Sequence, residues 1–148
     1  MGFTTFSGPV RVGTVKEGSG SNIGAVVLAQ EYDSGDLTGA TVGNHDAQLG
    51  VLPKGARIVD IVVDQVVAGA SGTTAVSVGN ASGGAQLMAA VTTTAGGRFR
   101  GTATAATQLA WDLSTTADTS VYVRVAVGTA TLTAGRFIVT VLYVHRTA

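Results

Sequence analysis

The sequence predicts an all-β fold, a two-sheet antiparallel sandwich of jelly-roll type carrying a short N-terminal arm. Three observations predict it: apolar residues alternating at the two-residue period of a strand, β-branched residues concentrated in those runs, and Gly-rich punctuation between them. The most informative stretch is Arg136 to Arg146, Arg-Phe-Ile-Val-Thr-Val-Leu-Tyr-Val-His-Arg, because both of its faces are largely apolar. Successive side chains of a strand point to opposite sides, so Phe137, Val139, Val141 and Tyr143 share one face, while Ile138, Leu142 and Val144 share the other with Thr140. One face builds a core. The second apolar face needs its own cover, from a third layer or another subunit, and we assign it to another subunit.

From the N-terminus, Gly2 to Ser7 reads as a Thr-rich arm bearing Phe3 and Phe6 and closed by Gly8-Pro9, leaving residues 9–148 as a single sandwich domain. Two aromatics on an arm want a pocket, supplied either by the arm's own domain or by a neighbour. Val10 to Lys16 alternates as a first strand, and the Gly18-Ser-Gly-Ser-Asn22 cluster ends it. Ile23 to Tyr32 contains an apolar run, Ala25 to Ala29, too short for a helix and bounded by turn residues, which predicts a buried strand. Asp33 to Gly50 turns polar and Gly-rich and suits a long loop or a short-stranded excursion.

Leu52-Pro-Lys-Gly-Ala-Arg57 is a turn launching a strand from Ile58 to Ala68. Ile58, Ile61, Val62 and Gln65 have helical spacing, but the density of Val and Ile favours strand. Gly69 to Gly72 makes a turn, and Thr74 to Val78 returns as a hairpin partner. Ala85 to Val91 is the one place where a turn or two of helix would satisfy local propensity. Gln108 to Leu113 suits a short or edge strand of weakly specified register. Thr119 to Val127 is the cleanest alternation, with Val121, Val123, Val125 and Val127 inward and Tyr122, Arg124 and Ala126 outward. About eight strands with Gly-rich turns and almost no helix complete the sandwich.

At 148 residues and 14.7 kDa the chain suffices for one domain burying roughly two thirds of the surface its unfolded form exposes. With no cysteine, stability has to come from packing. The opening residues have neither a basic start nor a sustained apolar run, so no secretory signal is expected, and Phe6 stands where a myristoylation pattern wants Ser or Thr. No apolar run approaches the ~20 residues of a membrane helix, so a soluble protein without a membrane partner is expected. Charged residues are 12% of the chain and balance to zero, which leaves no field to steer nucleic acid. Zero net charge with positive mean hydropathy also suits a subunit held in a larger body.

No constellation in the sequence carries chemistry. His45 and His145 are a hundred residues apart in no ligand pattern, whereas a zinc site needs three or four protein ligands. No Gly-x-Ser-x-Gly elbow leads into a helix, and no glycine cluster forms a phosphate loop with a following Lys-Ser/Thr. Asp60 and Asp64 lie on the same side of a strand, roughly 13 Å apart along extended chain, which suits a solvated face or interface salt bridges better than an acid-base pair. Asp33-Ser-Gly-Asp36 and Asn44-His-Asp46 lack the ligand spacing of a calcium loop, and turn chemistry explains them more simply. The expectation is therefore a non-enzymatic protein with no cofactor and no metal.

Leu52-Pro-Lys-Gly-Ala-Arg-Ile-Val-Asp60, Val76-Ser-Val-Gly79 and Ala134-Gly-Arg-Phe-Ile-Val-Thr-Val-Leu-Tyr-Val144 resemble segments of small structural proteins of tailed bacteriophages. The resemblance implies a capsid decoration, or cement, protein: a compact β-sandwich, commonly a trimer, that sits on the outer capsid surface of the virion and clamps neighbouring subunits of the major capsid protein. It transfers no binding residue. Broad apolar contact between subunits fits the second face of the final strand, with Ile138, Leu142 and Val144 near a homo-oligomer axis and Phe3 and Phe6 reaching the shell. The competing expectation is a fibre or receptor module whose Trp111, Tyr32 or Tyr122 stacks on a glycan.

Overall fold

The computed structural model describes residues 27–72, 74–93, 95–100, 105–114 and 116–145. The expected arm and the strand expected at Val10 to Lys16 lie outside the described residues. In chain order the elements are β1 (Val27–Asp33), β2 (Gly43–Leu52), β3 (Ala56–Ala70), β4 (Thr74–Gly79), β5 (Met88–Thr92), β6 (Gly97–Arg100), α1 (Ala105–Ala110), β7 (Thr119–Val127) and β8 (Ala134–His145). The strands form two antiparallel four-stranded sheets, ordered β1-β8-β3-β6 and β2-β7-β4-β5. This is the all-β, two-sheet sandwich that the alternation predicts. The chain changes sheet at every connection except the one from β4 to β5.

The two strands with the clearest alternation sit second in their sheets, flanked on both sides. In β7, Val121, Val123, Val125 and Val127 are at most 3% exposed, whereas Tyr122, Arg124 and Ala126 are half-buried on the other side. In β8, Phe137, Val139, Val141 and Tyr143 turn inward and are buried. Together with Ile58, Ile61 and Val63 of β3 and Val76 and Val78 of β4 they form one core between the sheets. Burying each such side chain contributes about 1.5–3 kcal/mol.

The helical spacing within β3 has a strand explanation. Pairing with β8 slips between Ile58 and Asp60, so Val59 is an extra residue that resets which side faces in. Ile58 and Ile61 then both point to the core although three positions apart, and Val59 is left 47% exposed. A turn starts this strand as expected: the Ala56 N–H donates to the Pro53 carbonyl at 3.1 Å, and Gly55 takes a φ of +74° that other residues rarely adopt.

Four expectations need correction. The buried strand expected at Ala25 to Ala29 is, in its described residues, the exposed edge strand β1, with Val27 53% and Leu28 42% exposed. Of the loop or short-stranded excursion left open for Asp33 to Gly50, the second half is the ten-residue strand β2. As an edge strand paired only to β7, β2 buries little and carries no apolar alternation to announce it. β3 and β4 are not hairpin partners, since the turn between them carries the chain from one sheet to the other. The helix allowed at Ala85 to Val91 is β5 instead, where the Leu87 N–H donates to the Val78 carbonyl at 3.0 Å and Met88 pairs with Val78. The helix falls at Ala105–Ala110, overlapping the strand expected at Gln108 to Leu113, of which a single bridge between Arg57 and Asp112 is formed.

One buried side chain has no polar company. Gln65 of β3 points inward at 4% exposure, and its amide oxygen and nitrogen both lack a hydrogen-bond partner among the described residues.

Candidate functional site

The outer face of the β1-β8-β3-β6 sheet is where the expected contact residues lie, and pairing registers build it row by row. Val27, Val144 and Arg57 share one row and Ala29, Leu142 and Asp60 the next. Glu31, Thr140, Val62 and Arg100 follow, then Asp33, Ile138, Asp64 and Arg98. Directly opposed residues share a face. Ile138, Leu142 and Val144 are therefore neighbours along the outer side of β8, as expected, and all three are half-buried and outside the core. Their own chain covers this face only in part. Val62 belongs to the same apolar strip at 6% exposure, and Val27 at 53% and Val59 at 47% widen it.

Charged pairs border the strip. Arg98 donates two hydrogen bonds to Asp64, at 2.6 and 2.8 Å, and Arg100 lies 3.3 Å from Asp60. At the end of β1, Arg136 donates to Asp33 from two of its nitrogens, from Nε to one carboxylate oxygen at 3.1 Å and from Nη2 to the other. The Arg136 guanidinium, helped by the Gly35 N–H, holds the Asp33 carboxyl at about 2, and Arg98 likewise lowers Asp64. Asp60 and Asp64 thus serve as salt-bridge acids on one face, as their spacing suggested, with the arginines coming from β6. An apolar centre with a polar, charged border is the usual anatomy of a protein interface.

The outer face of the second sheet differs. There Asn44, Asp46 and Gln48 of β2 stand beside Ala126, Arg124 and Tyr122 of β7, with Ala75, Ser77 and Gly79 of β4 on the far side. Arg124 donates to both Asp46 oxygens, at 2.7 and 3.0 Å, and Ser82 adds a bond to Asp46 at 3.2 Å. Apart from Val51, 45% exposed opposite Ser120, what this face offers water is polar or small, Ser77 and Gly79 being buried, and the two outer faces of the sandwich are not equivalent.

Where the apolar strip ends at Val144, a groove of ≈ 430 Å³ opens between Arg57, Ile58, Val59 and Trp111. The sequence pointed to Trp111 only as a sugar-stacking candidate. Its ring packs against the core, and its indole N–H donates to the Leu87 carbonyl at 2.8 Å. Tyr32 sits on β1 packed against the core and Tyr122 on the polar outer face of the other sheet, so these three aromatics do not form a common platform.

The other candidates resolve into structural roles. His45 shares a 2.9 Å hydrogen bond between its Nε2 and the Thr41 carbonyl, and His145 is exposed at the end of β8. Neither lines the groove. The Asp33 and Asp36 carboxylates accept backbone N–H groups two residues on, from Gly35 and Thr38, both at 2.9 Å, which is the turn chemistry anticipated. Among the described residues no three His, Cys, Asp or Glu side chains gather as a metal site, and no helix is long and apolar enough to cross a membrane. Phe3 and Phe6 lie outside the described residues.

No protein-family model matches the chain, and no curated protein matches it. Among solved structures it is similar to a chain in the capsid of Ralstonia phage GP4, with 30% sequence identity and a TM-score of 0.62, over 83% of this chain and 86% of that one. It also aligns with a chain of the cyanophage Pam1 capsid asymmetric unit at 20% identity and a TM-score of 0.48, over 90% of this chain and 94% of that one. With its fold, its unequal outer faces and the identity to the Ralstonia phage GP4 capsid chain in place, this protein is a phage capsid-related virion structural protein and belongs to the family of that chain.

Proposed function

We propose that this protein decorates and stabilises the capsid of a tailed bacteriophage, sitting on the outer surface as a homo-oligomer, in the expected case a trimer, that bridges subunits of the major capsid protein. The observation that carries the proposal is the partly covered apolar strip of Ile138, Leu142 and Val144, bordered by charge pairs, on one outer face of a sandwich whose other outer face is mostly polar. Clamping a shell calls for broad, shape-matched contact of that kind and for no reactive group. We read the strand order β1-β8-β3-β6 opposite β2-β7-β4-β5 as jelly-roll wiring, eight strands in two Greek keys. In this reading Ile138, Leu142 and Val144 meet a second copy, and the arm with Phe3 and Phe6 reaches the capsid.

The test is co-sedimentation with phage shells stripped of this protein. The full chain is expected to bind them at a saturable, regular stoichiometry and to raise their melting temperature. A chain that leaves such shells bare overturns the decoration role. Deleting Gly2 to Ser7 is expected to weaken binding, and undiminished binding removes the arm from the contact.

A further inference from the structure

We propose a second self-contact at the end of the apolar strip, in which Leu109 of one copy enters the groove beside Trp111 of the next and Arg57 pairs across the contact with Asp112 of that neighbouring copy. The inference rests on the homo-oligomer reading and gives it a specific contact. Leu109 is 78% exposed, the most exposed large apolar side chain among the described residues. It does not ride on a frayed end. The segment just after it is anchored by the Trp111 indole bond to Leu87, by the Ile58 N–H donating to the Trp111 carbonyl at 2.9 Å, and by the Leu113 N–H donating to the Ala56 carbonyl at 3.1 Å. The chain thus presents an apolar knob just ahead of an anchored segment, where a solvated helix would place a polar residue.

Two residues along the chain from the knob, Trp111 walls the groove together with Val59 and Val144, and the ≈ 430 Å³ there exceeds the volume of a leucine side chain. Val144 belongs to both the groove and the strip, so the two apolar surfaces are continuous. A knob next to its own groove is the arrangement that copies around a nearby axis require, because each copy offers one and receives the other.

Charge selects a second copy as the occupant. All five arginines among the described residues are paired with aspartates of their own chain, and Arg57, the one charged residue lining the groove, is among them, so the groove offers an acidic partner no free cation. Arg57–Asp112 is the longest of these pairs, a contact of 3.5 Å with side chains 53% and 60% exposed. A pair this loose contributes little within one chain and is free to exchange between copies, Arg57 of each meeting Asp112 of the next.

Sedimentation velocity across a concentration series tests this with four variants of the full chain, Leu142→Asp serving as the comparison. Leu109→Ser and Arg57→Asp are each expected to weaken self-association at least tenfold, with the thermal midpoint of the dissociated chain unchanged. Combining Arg57→Asp with Asp112→Arg is expected to restore association to near the parent level. If Leu109→Ser and Arg57→Asp associate like the parent while Leu142→Asp does not, this contact is wrong and the outer-face interface stands. If the parent itself never associates, the homo-oligomer reading falls and this inference falls with it.

Discussion

Leu142→Asp separates folding from assembly, because Leu142 lies on the half-buried outer side of β8 while its neighbour Val141 is fully buried on the inner side. In the free chain the new carboxylate would stand directly opposite Asp60, whose partner Arg100 lies 3.3 Å away. Like charges facing each other across a sheet cost about 0.2–1 kcal/mol, and loss of a good strand former costs up to about 1 kcal/mol more. For a chain of this size that lowers the midpoint by at most about 8 °C and leaves it folded. In the assembled state the same change removes a buried leucine, worth about 1.5–3 kcal/mol, and buries an unpaired charge at about 3–5 kcal/mol. Self-association should then weaken by about 10³-fold or more, since about 1.4 kcal/mol is a factor of ten. Sedimentation velocity reads the association and circular dichroism the fold. Val141→Asp, by contrast, should not fold. A Leu142→Asp chain that associates as tightly as its parent would refute the reasoning.

Other expectations follow from particular residues. Gln65→Leu replaces two buried polar atoms without partners by an apolar group of similar size, so it should raise the thermal midpoint by several degrees, on the order of 1–3 kcal/mol; a fall would show that the amide is bonded. Gly79→Ala would set a Cβ 2.5 Å from the Gly84 carbonyl carbon and should destabilise by about 1–3 kcal/mol in urea unfolding. Asp33 should titrate near 2 by carboxyl NMR, and Arg136→Gln should move that midpoint upward. Because the folded value is depressed, whatever stability Asp33 contributes is fully present above the ordinary carboxylate range and is lost progressively as pH falls from there through about 2.

What the sequence revealed followed from how strongly burial marks each strand. β7 and β8 are flanked on both sides, so their inward valines stand out at period two, and the second apolar face of β8 was visible in the same letters. β2 was largely hidden, because an edge strand facing water through Asn44, Asp46 and Gln48 has the composition of a loop. The turn at Gly69 to Gly72 was legible, but a local signal does not say whether the returning strand joins the same sheet or the facing one. Asp60 and Asp64 were recognisable as same-face acids. Their partners Arg98 and Arg100 were not, because β6 is four residues long and meets β3 only through tertiary pairing. The bulge at Val59 made a strand look partly helical, and the groove exists only because α1 delivers Trp111 to the end of β3 and β8.

The most direct measurement is the native mass of the purified 148-residue chain at micromolar concentration. A single closed homo-oligomer, a trimer in the expected case, is the result required if the outer side of β8 is an intersubunit surface. A stable monomer of 14.7 kDa that stays soluble with Ile138, Leu142 and Val144 facing water would contradict it.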